Sequence, residues 1–127
     1  MRSFEALRPK LGPILYQLPP RFKCNLERLE SFLALLERYG ASFCAHDMPG
    51  SQSPRIAVGR IAYLRFHGGI GKYWGRYTDE ALLGWSDWII EQSRADRPVW
   101  AYFNNDPEAH AIHDAQTLRA MVRQAQR

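Results

Sequence analysis

The hydrophobic positions of this chain follow helical spacing in some segments and form short continuous runs in others. The clearest helical pattern lies between Asn25 and Gly40, where apolar residues recur three or four positions apart: Leu26, Leu29, Phe32, Leu33, Leu36 and Tyr39. Asn25 is a favourable N-cap residue, and Gly40 favours a left-handed C-terminal stop. Two further helices are predicted, one after a Thr78 cap and one over about 108–124.

Four compact apolar runs predict short buried strands, at 14–18, 41–46, 61–66 and 99–103. Their order relative to the helices is strand, helix, strand, strand, helix, strand, helix. Strands that are apolar on both faces and interleaved with helices are typical of a mostly parallel sheet. We therefore predict a single α/β domain. Trp100, in the last run, is expected to pack between the sheet and a helix.

The composition agrees with an ordered domain but adds little about partners. Of the 127 residues, 46% are hydrophobic and 24% are charged. The net charge of +4 permits an anionic partner without requiring one. Two cysteines, no apolar leader and no run of about 18 apolar residues favour a cytoplasmic, reduced protein without a membrane span. Cys44 is expected to be a small core residue.

Polar side chains follow the end of each predicted strand. They are Gln17, then His46 and Asp47, then Arg65 and His67, then Asn104, Asn105 and Asp106. In parallel sheets the carboxyl ends of strands converge, and ligands bind there. An equally weighted alternative is that strand ends border water, and that Asn104 to Asp106 cap the final helix.

Three kinds of chemistry fit these residues. His67 is a candidate acid or base that Asp106 would orient, and Arg65 is a candidate for holding a carboxylate or phosphate. The alternative is a structural ion pair between Arg65 and Asp106. A glycine-rich segment interleaves basic and aromatic residues, which suits nucleic acid as well as local packing: Lys72, Tyr73, Trp74, Arg76 and Tyr77.

Metal ligation is the third kind of chemistry, and for these side chains we favour a solvated or hydrogen-bonding role over it. His46, His67 and Asp106 are suitable ligand types, but their spacing matches no known zinc motif. We therefore expect no cofactor, and we assign no metal ligand.

Four segments in order resemble motifs of one known family. They are the Gln-Leu-Pro-Pro strand at 17–20, the Tyr-x-Arg-x-His-Gly strand at 63–68, the aromatic segment at 73–78, and Tyr-Phe-Asn-Asn-Asp at 102–106. They resemble the YecE-like family, the domain of unknown function family numbered 72. This resemblance implies a TIM-barrel-like fold, which usually needs about 250 residues.

The chain departs from that family in two respects. The family's Glu-x-Arg-His-x-x-Trp segment, expected between Pro20 and Asp47, is missing, and the chain starts well into the family pattern. We therefore predict a truncated, internally shortened relative over residues 1–127. Its fold would be a partial TIM-barrel-like half-barrel with about four mostly parallel strands and three main helices. Four strands cannot close a barrel, so we predict self-association through an open sheet edge.

The leading functional prediction is binding of a polar or anionic ligand at the carboxyl-end edge of the strands. The candidate catalytic residues are His67 and Asp106. The candidate ligand-binding residues are Gln17, Arg65, Tyr73, Arg76, Tyr77, Asn104 and Asn105. The alternatives are an inactive remnant or interaction module that needs a partner chain, and a phosphate- or nucleic-acid-processing hydrolase by fold analogy. The sequence does not decide whether the protein is an enzyme.

Overall fold

The computed structural model describes residues 25–127, which form an α/β unit. Gln17, Cys24 and the strand predicted at 14–18 lie outside the described residues. Within residues 25–127 there are three helices, α1 (Leu26–Arg38), α2 (Asp79–Arg94) and α3 (His110–Ala125). There are also three strands, β1 (Cys44–Asp47), β2 (Ala62–Phe66) and β3 (Val99–Phe103), and a 3-10 turn at Pro107–Ala109.

The first two helices begin where their capping residues predict. The Asn25 side chain accepts a hydrogen bond from the Arg28 N–H at 2.9 Å. The Thr78 hydroxyl accepts one from the Ala81 N–H at 3.2 Å. Each bond satisfies a backbone donor that the first helical turn leaves unpaired. Gly40 has a φ of 67°, so the predicted left-handed stop after α1 is confirmed.

The three strands form one parallel sheet in the order β1-β2-β3. In the register, His46 pairs with Arg65, and Arg65 pairs with Tyr102. The connection from β2 to β3 runs through α2, as a parallel crossover requires. All three strands therefore end at the same edge of the sheet, at Asp47, Phe66 and Phe103.

One face of the sheet packs against α2 and α3. Alternate residues of β2 are almost fully buried there, and they join a core cluster with Leu82, Trp85, Trp88 and Ile89 of α2 and Leu118 of α3. Strand side chains alternate between faces, so their neighbours point the other way. The residues on that second face, which we call the open face, are Cys44, His46, Tyr63, Arg65, Trp100 and Tyr102.

The prediction that Trp100 packs between the sheet and a helix is wrong. It lies on the open face and is 41% exposed, and its ring lies nearly parallel to that of Tyr102 at 6.5 Å. The apolar run at 99–103 could not predict the position of Trp100, because an apolar run does not indicate which face of a sheet the helices cover. Tyr102 also stacks on Tyr63 at 5.3 Å, so the open face carries a row of three aromatic rings.

Helix α1 packs less closely than α2 and α3. None of its side chains that the structure describes, at 27–38, is buried, and Phe32, Leu35 and the C-cap residue Tyr39 are exposed. Among residues 25–127, no helix has the length and apolar character needed to cross a membrane.

Candidate functional site

The polar residues at the strand ends divide between the two faces of the sheet. Arg65, His67 and Asn104 follow the parity of the open face, whereas Asn105 lies on the helix-covered side and is fully buried. The predicted residues therefore do not form one cluster. One group borders the open face, and the other forms a buried network under the loop at 68–77.

The open-face group is held together by the strand register and by ring contacts. His46 and Arg65 are paired residues of β1 and β2, and the His46 and His67 ring centroids are 6.1 Å apart. Tyr73 reaches the same place from the loop, with its ring 5.4 Å from that of His67. The Asn104 N–H donates to the Phe66 carbonyl at 3.0 Å, which extends the sheet pairing past β3.

Three groups in this cluster have unused hydrogen-bonding capacity. The Arg65 guanidinium forms no ion pair or hydrogen bond with any other residue of 25–127. His67 Nδ1 and Asn104 Oδ1 are buried and also have no partner in that range. Buried polar atoms normally have partners, so unpaired atoms on neighbouring strand ends are a feature that requires explanation.

The electrostatics of the cluster favour a neutral His67. Burial lowers the pKa of His67, and the neighbouring basic side chains, Arg65 first, lower it further. The imidazole is therefore uncharged at neutral pH, with one ring nitrogen able to accept a hydrogen bond. The positive charge at this edge comes from Arg65 and from Lys72, whose ammonium lies 5.3 Å from the centre of the Tyr73 ring.

The loop at 68–77 is tightly folded over the end of β2. Gly68 has a φ of 115°, and a Cβ atom there would lie 2.5 Å from the Gly71 carbonyl oxygen. Only glycine fits this position. Tyr73 also has a positive φ of 61°, which turns the loop back so that its N–H donates to the His67 carbonyl. The position of Tyr73 beside His67 is thus set by the backbone.

The second group of predicted residues surrounds a buried carboxylate, Asp114 of α3. Its side chain is fully buried, and it accepts hydrogen bonds from Asn105 Nδ2 at 2.8 Å and from the Tyr77 N–H at 3.1 Å. Arg76 Nε completes the set at 3.1 Å as an ion pair whose arginine side chain is 48% exposed. Arg76, Tyr77 and Asn105 therefore bind the protein itself, and they fix the loop against α3.

Tyr77 and Asp47 join the strand ends to α2. The Tyr77 hydroxyl donates to the Asp47 carbonyl at 2.9 Å and accepts from the Gly68 N–H at 3.2 Å. Burial and the Asp47 charge raise the pKa of Tyr77, so its hydroxyl stays protonated. The Asp47 carboxylate accepts from Trp85 Nε1 at 2.6 Å and from Gln52 at 3.1 Å.

The remaining candidate residues lie apart from both groups. Asp106 is exposed, and no ion pair within residues 25–127 joins it to His67 or to Arg65. No group of three or more His, Cys, Asp or Glu side chains in that range is placed to hold a metal ion. Burial raises the pKa of Cys44 to about 11, which makes its thiol unreactive at neutral pH.

Asp114 was not among the candidates from the sequence, although a signal was present. The buried positions of α3 are Ala111, Asp114 and Leu118, so the carboxylate occupies the apolar side of an amphipathic helix. An acidic residue at such a position is buried only when it is paired. Its partners cannot be read from the sequence, because Tyr77 lies 37 positions away.

The comparisons with known proteins agree on one family. The model of the family described as "Protein of unknown function DUF72" matches residues 27–127. A solved DUF72 family structure from Thermotoga maritima superimposes with a TM-score of 0.65 at 24% identity, covering 73% of this chain and 41% of that one. One from Enterococcus faecalis gives a TM-score of 0.68 at 15% identity, covering 78% and 43%. The chain thus spans less than half the length of either structure. No curated protein matches it significantly.

Proposed function

Because this chain belongs to the DUF72 family, which is described as a family of unknown function, we propose a function from the chain's own site. The protein binds a small anion that also carries hydroxyl groups, at the carboxyl-end edge of the sheet beside Arg65, His67, Asn104 and Tyr73. Sugar phosphates and hydroxy acids have this chemistry. The observation that carries the proposal is the set of unpaired groups on neighbouring strand ends.

Each of these groups has a distinct task in the proposed complex. Arg65 supplies the positive charge and a planar fork of donors that matches a carboxylate or phosphate. His67 Nδ1, in the neutral ring, and Asn104 Oδ1 accept hydrogen bonds from ligand hydroxyl groups. Tyr73 covers the ligand from the loop, next to the His67 ring.

The proposal is limited to binding. An acid or base in catalysis is usually oriented by a third group, and no carboxylate is hydrogen-bonded to His67 within the described residues. The fold proposal is that this sheet is part of a TIM-barrel-like half-barrel in a cytoplasmic protein. It is supported by the parallel strand order and by the packing of α2 and α3 together on one face of the sheet.

Isothermal titration calorimetry with inorganic phosphate and with glycerol 3-phosphate tests the proposal. We expect both probes to bind, and R65Q to weaken both by about 10- to 100-fold, because a hydrogen bond to a charged group contributes about 1.5–3 kcal/mol. The matched control is R60Q, which removes the same charge from an exposed arginine just before β2. N104A should weaken glycerol 3-phosphate more than phosphate. Equal losses in R60Q and R65Q, or no binding of either probe, would refute the proposal.

A further inference from the structure

The solvent side of α3 carries a line of arginines away from the site at the strand ends. Arg119 and Arg123 are four residues apart, so they lie on one face of the helix, and Arg127 continues the line just after the helix ends. All three residues are exposed. They line one surface groove with two glutamines and an alanine, and we call the whole set the basic row: Gln116, Arg119, Ala120, Arg123, Gln124 and Arg127.

No carboxylate of the described residues neutralises the basic row. The single acidic residue of α3 is Asp114, which is fully buried and pairs with Arg76. The other ion pair within residues 25–127 joins His110 to Glu108, so no arginine of the row has an acidic partner there. The other two helices, by contrast, carry exposed acidic residues, which are Glu27, Glu30 and Glu37 on α1 and Asp79, Glu80, Asp87 and Glu91 on α2.

Residues 1–24 do not change this charge balance. They contain five basic residues and one acidic residue, Glu5. One carboxylate cannot neutralise three arginines, wherever that segment packs. The basic row therefore keeps an excess of positive charge when the whole chain is considered, and a partner that neutralises it must bring its own negative charges.

The spacing of the arginines opposes the formation of the helix that carries them. Like charges four residues apart on a helix repel each other. The helix dipole favours a positive charge in the last turn, where Arg123 lies, but its effect does not extend to Arg119 one turn earlier. A polyanion bound along the row would remove this repulsion, because each arginine would then face a negative charge.

We propose that the basic row binds the phosphate backbone of double-stranded DNA without reading its sequence. Arginine presents a planar fork of donors that matches a phosphate, and glutamine amides donate to phosphate and sugar oxygens. From 119 to 127 the row is about 12 Å long, at a rise of about 1.5 Å per residue. Duplex DNA carries one negative charge per about 1.7 Å of its axis, so several phosphates lie within the length of the row.

The side chains of the basic row favour this partner over two others. Interfaces with another protein have apolar and aromatic residues at their centre, and single strands are held by aromatic rings that stack on the bases. The row contains no aromatic and no large apolar residue. Interfaces with duplex DNA are polar and strongly positive, as the row is. The proposal does not depend on the anion site at the strand ends.

Fluorescence anisotropy with a labelled duplex of about 20 base pairs tests the proposal on the full chain. We expect a dissociation constant of about 10⁻⁴–10⁻⁶ M, which is typical of non-specific binding. The logarithm of the binding constant should fall with the logarithm of the salt concentration with a slope of about −3, because each of three phosphate contacts contributes about −0.9. A duplex of different sequence should give the same constant and the same slope.

Three double variants identify the surface that binds. R119Q/R123Q removes two charges from the row, so it should weaken binding at least tenfold and bring the slope to about −1. R119K/R123K keeps both charges and should keep the slope at about −3. The matched control is R28Q/R38Q, which removes the same charge from exposed positions of α1 and should also keep that slope. Far-UV circular dichroism should be the same for all of them, because the four side chains are exposed.

Four results would overturn the proposal. Equal losses in R119Q/R123Q and R28Q/R38Q would show that the charge of the whole chain, and not the row, attracts DNA. A larger loss in R65Q than in R119Q/R123Q would place the DNA at the strand ends. Equally tight binding of polyglutamate would indicate an acidic protein as the partner. Absence of binding to the duplex at about 50 mM salt would remove the proposal altogether.

Discussion

Replacing Asp114 by alanine gives the most direct quantitative test of the buried network. In D114A the Tyr77 N–H loses its acceptor, and Asn105 Nδ2 keeps only its bond to the Gly75 carbonyl at 2.9 Å. Each buried donor left without a partner costs about 1–3 kcal/mol. Arg76 is half exposed, so its guanidinium returns to water at little cost. We therefore expect D114A to lower the free energy of unfolding by about 2–5 kcal/mol.

Equilibrium urea denaturation, followed by tryptophan fluorescence at one fixed protein concentration, measures this loss. A loss of this size is a large share of a typical stability of about 5–15 kcal/mol. Two control variants separate the loss of buried acceptors from the loss of a carboxylate or of an ion pair. D87A removes an exposed carboxylate from α2 and should change stability by about 0.5 kcal/mol or less. R76Q removes the charged partner alone and should cost about 1 kcal/mol or less.

The comparison of these variants decides the argument. If D114A were as mild as D87A, the carboxylate would not be satisfying buried donors. If R76Q cost as much as D114A, the charge pair, and not the loss of acceptors, would stabilise the loop. Either result would refute the claim that Asp114 stabilises the fold by accepting hydrogen bonds from buried donors.

Two further predictions concern the loop and its histidine. Y77F removes the acceptor of the Gly68 N–H and should cost about 1–3 kcal/mol in urea denaturation, whereas Y73F, at an exposed ring, should cost almost nothing. Since the pKa of His67 is lowered in the folded state, the unfolded chain takes up the proton first. Stability should fall as pH drops below about 6.5, less so in H67Q; a folded-state pKa of 6.5 or higher by NMR titration would contradict this.

Much of the secondary structure could be predicted from local patterns. The Asn25 and Thr78 caps, the helical stripe of α2 and the apolar run of β3 each depend on neighbouring residues, and the structure has these elements in the predicted order. The strand predicted at 41–46 begins later, at Cys44. Before Cys44 the Phe43 N–H donates to the Val58 carbonyl at 3.3 Å, so this stretch pairs with the segment that precedes β2 and not with β2 itself.

The site was harder to predict from the sequence than the secondary structure, because its contacts join residues that are far apart along the chain. Polar residues at strand ends can be recognised, but Asn104 and Asn105 are adjacent and point to opposite faces of the sheet. Asn105 Nδ2 donates to Asp114 and Gly75, whereas no side-chain hydrogen bond holds Asn104; the Oδ1 atoms of both residues have no partner among the described residues. Which of two neighbours is structural depends on where distant segments pack, and spacing along the chain carries no information about that.

The bonds of Asp47 limit how this sequence can change over time. Its Oδ2 atom and the Trp85 Nε1–H pair with each other in the interior, so the loss of either residue alone leaves one buried polar atom without this partner. Losing both together removes the mismatch, which makes the two substitutions strongly non-additive. Each position thus determines which residues are tolerated at the other. Because either substitution alone lowers the stability of the fold, we expect the end of β1 and the middle of α2 to change together.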